Sequence, residues 1–272
     1  MNVSKWKNTV AFLVMIAVNT LANLLSLGGN TTGEVSAAYP NLFTPAPITF
    51  AVWGIIYLLM GAFVFYQWGI LDNNQNSQNA REAIGNWFLI SCVFNIAWIF
   101  AWHFGAIGIS VLMMFGLLFS LGMIPKRLRF PIQDRTFRIF AKTGFEIYLG
   151  WIVAASIANI SVYLTKTNWN GFGLSDVFWN IAALLIGTAA GTVFSLRKNH
   201  HFAATLTIIW AYIGILIKHF SASGYNGQYY AVIITALIGI AVMSSSIFLH
   251  SPRYPVTVFM KRRTLYENYG KR

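Results

Sequence analysis

The feature that most constrains this chain is the recurrence of apolar stretches as long as the roughly 20 residues a helix needs to cross a bilayer core. Eight can be marked, at 9–27, 45–68, 84–104, 106–124, 144–164, 177–196, 202–220 and 229–249. The second carries no charged side chain from Pro45 to Trp68. Hydrophobic residues make up 57% of the sequence against 10% charged, a balance far from that of soluble domains. The pattern predicts an all-α integral membrane protein, a bundle of about eight transmembrane helices.

The basic residues then set orientation. If the N-terminus is cytoplasmic, all of the 19 Lys and Arg residues except Lys166 and Lys218 fall in cytoplasmic segments. This bias predicts a multi-pass protein of the cell membrane with both termini cytoplasmic. In a soluble domain the net charge of +12 would suggest nucleic acid, but here the charges cluster at the ends of apolar runs, so no nucleic-acid partner is expected. The expected partner is instead the bilayer with its anionic inner leaflet, above all for the basic tail 251–272. Lys5 and Lys7 ahead of 9–27 look superficially like a signal peptide. That run is long for such an h-region and no small-residue cleavage site follows at once, so it reads as a retained first helix. The polar stretch 72–81 reads as a cytoplasmic loop, and 28–43 as an external loop that either covers the bundle mouth or is an ordinary connection.

Three segments concentrate aromatic and amide side chains. Thr44 and Pro45 suggest the start of the second helix, from which Phe50, Trp53 and Tyr57 project on one face. Gly54 and Gly61 offer close approach to a neighbour. The third helix carries Asn95, Trp98 and Trp102 at helical spacing, and the fifth carries Tyr148, Trp151, Ala155 and Asn159 as one stripe. Glu146 is the one carboxylate within an expected span; an ion pair with Lys142 at the cytoplasmic end is the plainer reading, proton coupling the sharper one. His200 and His201 are expected at headgroups, and His103 at a span end facing water or headgroups. Ala183, Gly187, Gly191 and Ser195 form a small-residue face, for packing within the chain or in a homodimer. Cys92 is alone, and no metal site, phosphate loop or nucleophile motif is present.

Pro45-Ala46-Pro47 with Phe50, Trp53, Tyr57 and Met60-Gly61-Ala62 resembles the start of the second helix of the TspO/MBR family, the translocator or tryptophan-rich sensory proteins. Asn95 with Trp98, and Tyr148-Leu149-Gly150-Trp151 with Ala154, Ala155 and Asn159, resemble that family's third and fifth helices. Ile147 departs from it, standing where the family usually has proline. The resemblance covers residues 1 to about 165 and suggests a five-helix domain over 1–165, an additional three-helix segment over 166–250, and the tail. It implies a sensory or regulatory protein that binds a flat hydrophobic small molecule, most characteristically a porphyrin, with no obligatory cofactor. The ligand-binding residues it implies are Pro47, Phe50, Trp53, Tyr57, Asn95, Trp98, Tyr148, Trp151, Ala155 and Asn159, while Trp210 is expected to lie apart. Oxidative breakdown of porphyrins is also associated with the family, so enzyme status stays open. The alternative is a secondary transporter for a small hydrophobic or amphipathic solute.

Overall fold

The structure, a computed structural model, describes residues 5–70, 74–128, 138–197 and 201–250. His200, the tail 251–272 and most of the basic connection after Pro125 lie outside the described residues. Among the described residues ten α-helices follow in order: α1 (Lys5–Leu24), α2 (Thr32–Ala37), α3 (Val52–Tyr66), α4 (Asn74–Ile84), α5 (Trp87–His103), α6 (Ile107–Arg127), α7 (Thr143–Lys166), α8 (Asp176–Leu196), α9 (Phe202–Phe220) and α10 (Tyr230–His250). Among the described residues seven helical segments are long and apolar enough to cross a membrane, and an eighth is counted if α4 and α5, bent by 57° at their junction, form one span. A helical bundle suits a chain surrounded by lipid, because each helix satisfies its own backbone polar groups. Large side chains such as Leu58, Leu112 and Phe248 lie exposed on the outer faces, where lipid replaces water as the contact.

Several boundaries differ from the sequence reading for identifiable reasons. Thr44 does not cap the second span. Its N–H and hydroxyl both donate to the Asn41 side-chain oxygen, at 2.9 and 3.0 Å. Pro45 and Pro47 hold Ala46 extended, so a 3-10 turn at Pro47–Ala51 comes first and the α-helix begins at Val52. The stretch read as a polar loop is mostly the helix α4. Its Ser77, Ala80 and Ile84, spaced as one helix face, are buried. Gly85, with φ +62°, makes the bend between α4 and α5. The run marked at 106–124 continues as helix through Pro125 to Arg127.

Packing joins the early helices to the late ones. Hydrophobic cores form around α1, α3, α5, α6 and α7, and around α8, α9 and α10, with Leu42 and Phe43 of the external loop buried in the second. The seam between them is α7 against α9, and it is tight. A methyl group added at Gly150 would stand 2.3 Å from the Ala204 carbonyl oxygen. On α8 the small-residue face is used internally: Gly187 receives the Tyr212 ring and Gly191 the Met243 side chain, while Ser195 meets the Ser246 hydroxyl at 2.5 Å. That face is therefore covered within the chain. Gly54 has nothing near its missing side chain, whereas Gly61 packs on Phe12.

Gly150→Leu should lower stability by about 1–3 kcal/mol or more, because backbone cannot yield as a side-chain tip can. Gly54→Ala should be close to neutral. Thermal unfolding of both variants in detergent checks this; equal melting temperatures would show that the α7–α9 seam is looser than described.

Candidate functional site

The aromatic stripes of three helices converge. Trp53 stacks on Tyr57 at 5.5 Å and on Trp98 at 6.0 Å between ring centroids, and meets Tyr148 and Trp151 edge-on at 5.8 and 6.3 Å. Phe50 stands edge-on to Trp151, and Trp98 stacks on Trp102. These are the offset and T-shaped geometries that aromatic quadrupoles favour. Above this cluster opens a cavity of about 40 Å³, walled by Phe50, Trp53, Trp98, Trp102, Trp151, Ala154, Ala155, Ala158, Met114 and Asn159. Thr32, Ser36, Phe43 and Pro45 close it from the external loop, and Ala211 and Ile215 from α9.

Of the residues singled out in the sequence, Phe50, Trp53, Trp98, Trp151, Ala155 and Asn159 line this cavity. Tyr57 and Tyr148 support it from behind Trp53. Asn95 is buried in a chain of hydrogen bonds: Asn19 donates to its side-chain oxygen at 2.7 Å, and it donates to the Tyr148 hydroxyl at 2.9 Å. Pro47 is outside the lining; it starts the turn that presents Phe50. The Asn159 amide is paired with the Ser110 hydroxyl. The indole N–H groups of Trp98 and Trp151, by contrast, are buried without a hydrogen-bond partner. Both side chains belong to the wall of the cavity, which is mostly apolar.

The sequence left open whether the loop 28–43 covers the bundle mouth, and it missed the α9 contribution. The external loop folds over the cavity through α2, whose start is a capping box: Glu34 accepts from the Thr31 N–H at 2.6 Å and donates its own N–H to the Thr31 hydroxyl. Those Thr31 groups hold the exposed Glu34 carboxyl below the usual carboxylate range. His103, expected at a headgroup, is buried instead. Its ring bridges the Leu27 carbonyl oxygen at 2.9 Å and the Thr32 hydroxyl at 3.0 Å, while the Trp102 indole donates to the Thr32 carbonyl. Trp102 and His103, four and five residues after Trp98, thus seat the loop. The only sequence signal was their position at the end of the same stripe.

From the other side α9 fastens the segment 41–49. The Ala46 N–H donates to the Gly214 carbonyl at 3.0 Å and the Trp210 indole to the Thr49 carbonyl at 3.0 Å. The ring of His219 bonds the Leu42 carbonyl at 3.0 Å, and the Tyr225 hydroxyl donates to the Asn41 carbonyl at 2.8 Å. Trp210 is therefore next to the site, one residue from Phe50 through Thr49, and does not lie apart. Further down the α7–α9 seam, Glu146 accepts from His201 at 2.9 Å as well as lying 3.7 Å from the Lys142 ammonium. Glu146 and His201 are both buried, so the interfacial ion pair expected from the sequence has an inner histidine partner, and His201 is not a headgroup residue.

A multi-pass helical membrane protein with an aromatic-walled cavity at its centre is the class that this geometry defines. The chain matches the family model described as TSPO-like protein over residues 5–249, and it belongs to that family. The match runs through the helices beyond residue 165 as well as those before it. No curated protein and no solved structure matches the chain.

Proposed function

We propose that this protein binds a flat, largely apolar ligand carrying hydrogen-bond acceptors in the cavity beside Trp53, and that binding serves a sensory or regulatory role. The observation that carries the reading is the pairing of ring faces with two unpartnered indole N–H donors, from Trp98 and Trp151, in one buried wall. Buried polar groups are nearly always satisfied, so donors left free beside a cavity suit an occupant with acceptors. A porphyrin, with broad faces and peripheral carboxylates, has that chemistry and is the first ligand to test. It is far larger than the 40 Å³ present, so binding requires the external cap, including Phe43 and Pro45, to move outward.

Trp53→Phe and Trp151→Phe keep a ring but lose stacking area. Each should weaken protoporphyrin binding by about 1 kcal/mol, the scale of an aromatic contact. Trp179→Phe is the control, because that indole is occupied by the Gly171 carbonyl in an external turn. Quenching of tryptophan fluorescence in nanodiscs reads the affinities. If the control weakens binding equally, or if neither cavity variant differs from the unaltered protein, the site is wrong.

For localisation we propose the cell membrane with both termini cytoplasmic, on the distribution of Lys and Arg. A cytoplasm-active reporter fused after residue 272 should be active; activity of a periplasmic reporter there instead would overturn the topology.

The buried Glu146–His201 contact favours one second reading, a proton-coupled transporter for a small hydrophobic solute. On the binding reading, Glu146→Gln leaves porphyrin affinity within about twofold, since it lies outside the cavity lining. Uptake by proteoliposomes under a pH gradient separates the two: solute uptake abolished by Glu146→Gln in folded protein would place transport first.

A further inference from the structure

A second cavity, of about 270 Å³ and unlike the first in character, lies where the start of α1, the end of α3 and the first half of α4 meet. Its wall is polar and basic: Lys5, Gln67, Trp68, Ser77, Gln78 and Arg81. Lys5 holds its ammonium 4.3 Å over the Trp68 ring, and Arg81 donates from Nη1 to the Gln67 carbonyl at 3.3 Å. Among the described residues no carboxylate pairs with either cation. The nearest acid on α4, Glu82, is engaged by the Gln78 side chain at 2.9 Å and faces outward.

Two buried donors in this wall lack partners. Gln67 is 1% exposed, and while its side-chain oxygen accepts from Asn8 at 3.0 Å, its Nε2 bonds nothing. The Nε of Arg81 is likewise buried and unpaired. Two cations with no carboxylate partner among the described residues, beside two buried N–H donors without a hydrogen-bond partner, leave a polar space that suits an acceptor with negative charge.

We propose that this cavity binds a phosphoryl oxyanion, seated between the Lys5 ammonium and the Arg81 guanidinium with Gln67 donating from beneath. The ring of Trp68 positions Lys5 for it. A phosphate group in this position comes either from a lipid headgroup or from a soluble phosphate, since the recognised atoms are the same. The lining comes from the start of α1, the residues just after α3, and α4, so the anion ties three segments together. The site is separate from the aromatic cavity, and its test does not depend on that reading.

The full chain in nonionic detergent is titrated calorimetrically with dioctanoyl phosphatidylglycerol and, separately, with sodium phosphate at constant ionic strength. At least one probe should saturate at one equivalent per chain. A response to the lipid alone assigns a headgroup, and a response to phosphate alone or to both assigns the phosphoryl group itself. Lys5→Gln and Arg81→Gln should each weaken binding by about fivefold or more, the scale of one basic residue at an anionic group. Lys166→Gln, a basic residue on another helix, should change nothing. Ser77→Asp introduces a carboxylate into the cavity and should abolish binding of both probes while the melting temperature is kept or raised, which separates occupation of the site from failure to fold. Absence of saturation by either probe overturns the proposal. So does binding by Lys5→Gln and Ser77→Asp equal to the unaltered protein, or an equal loss in Lys166→Gln, which would mark a diffuse charge effect.

Discussion

Everything at the aromatic site depends on how one non-helical stretch satisfies its backbone. From Asn41 to Thr49 the chain turns through Pro45 and Pro47 without α-helical hydrogen bonds, entering only a 3-10 turn at its end, at the mouth of a bundle of apolar helices. Carbonyl and N–H groups in such a place must find partners inside the protein. They find them on α9 and just beyond it: Gly214, Trp210, His219 and Tyr225 each bond a backbone group of this stretch. The approach is close enough that Gly214 has no room for a side chain, since an added methyl would meet the Thr49 hydroxyl at 1.9 Å. As a result Phe43, Pro45 and Phe50 are held over the cavity by a helix more than 150 residues away in sequence, as the separation between Trp210 and Thr49 shows.

That distance explains what was legible in the sequence and what was not. Trp53, Trp98 and Trp151 are visible because each sits on a helical stripe, and because a helix that crosses a membrane declares its own register. The all-helical membrane class is equally visible, from run length alone. The walls contributed by Ala211 and Ile215 are not visible, because small and aliphatic side chains on a hydrophobic helix look the same whether they face lipid, a neighbour or a cavity. Asn95 is visible as a polar group on its stripe and was expected to bind ligand, whereas its amide is taken up by Tyr148 and by Asn19 on α1, which carries no signal of where it points. For α4, polar composition suggested a loop, whereas the buried face of Ser77, Ala80 and Ile84 was enough to make a helix once its neighbours, α6 among them, were there to cover it.

The α7–α9 seam has a polar end and a glycine middle, and the two are complementary. Gly150 brings the helix backbones together, which places His201 at the start of α9 within hydrogen-bonding distance of Glu146 near the start of α7. Neither group would remain polar and buried at low cost alone. Together, with Lys142 at the rim, they form a three-membered network that fixes the register of the seam at one end, while Gly214 and the Ala46 N–H fix it at the other. Helices on either side of residue 165 are therefore coupled through the element that also lines the cavity.

On the proposed binding reading, that coupling sets the affinity. A tetrapyrrole cannot enter 40 Å³ unless the cap yields, and the cap is held by backbone bonds from His219, Tyr225 and the Ala46–Gly214 pair. Each such bond contributes about 0.5–1.5 kcal/mol net, so parting three of them costs about 1.5–4.5 kcal/mol. An open state that far above the closed one is populated at roughly one part in ten to one in two thousand, and the apparent affinity falls by the same factor. The free donors of Trp98 and Trp151 offset part of that cost only when a ligand with acceptors is in place. A purely apolar molecule opens the same cap without that return, so the closed cap itself discriminates in favour of ligands that carry both a flat face and a hydrogen-bond acceptor.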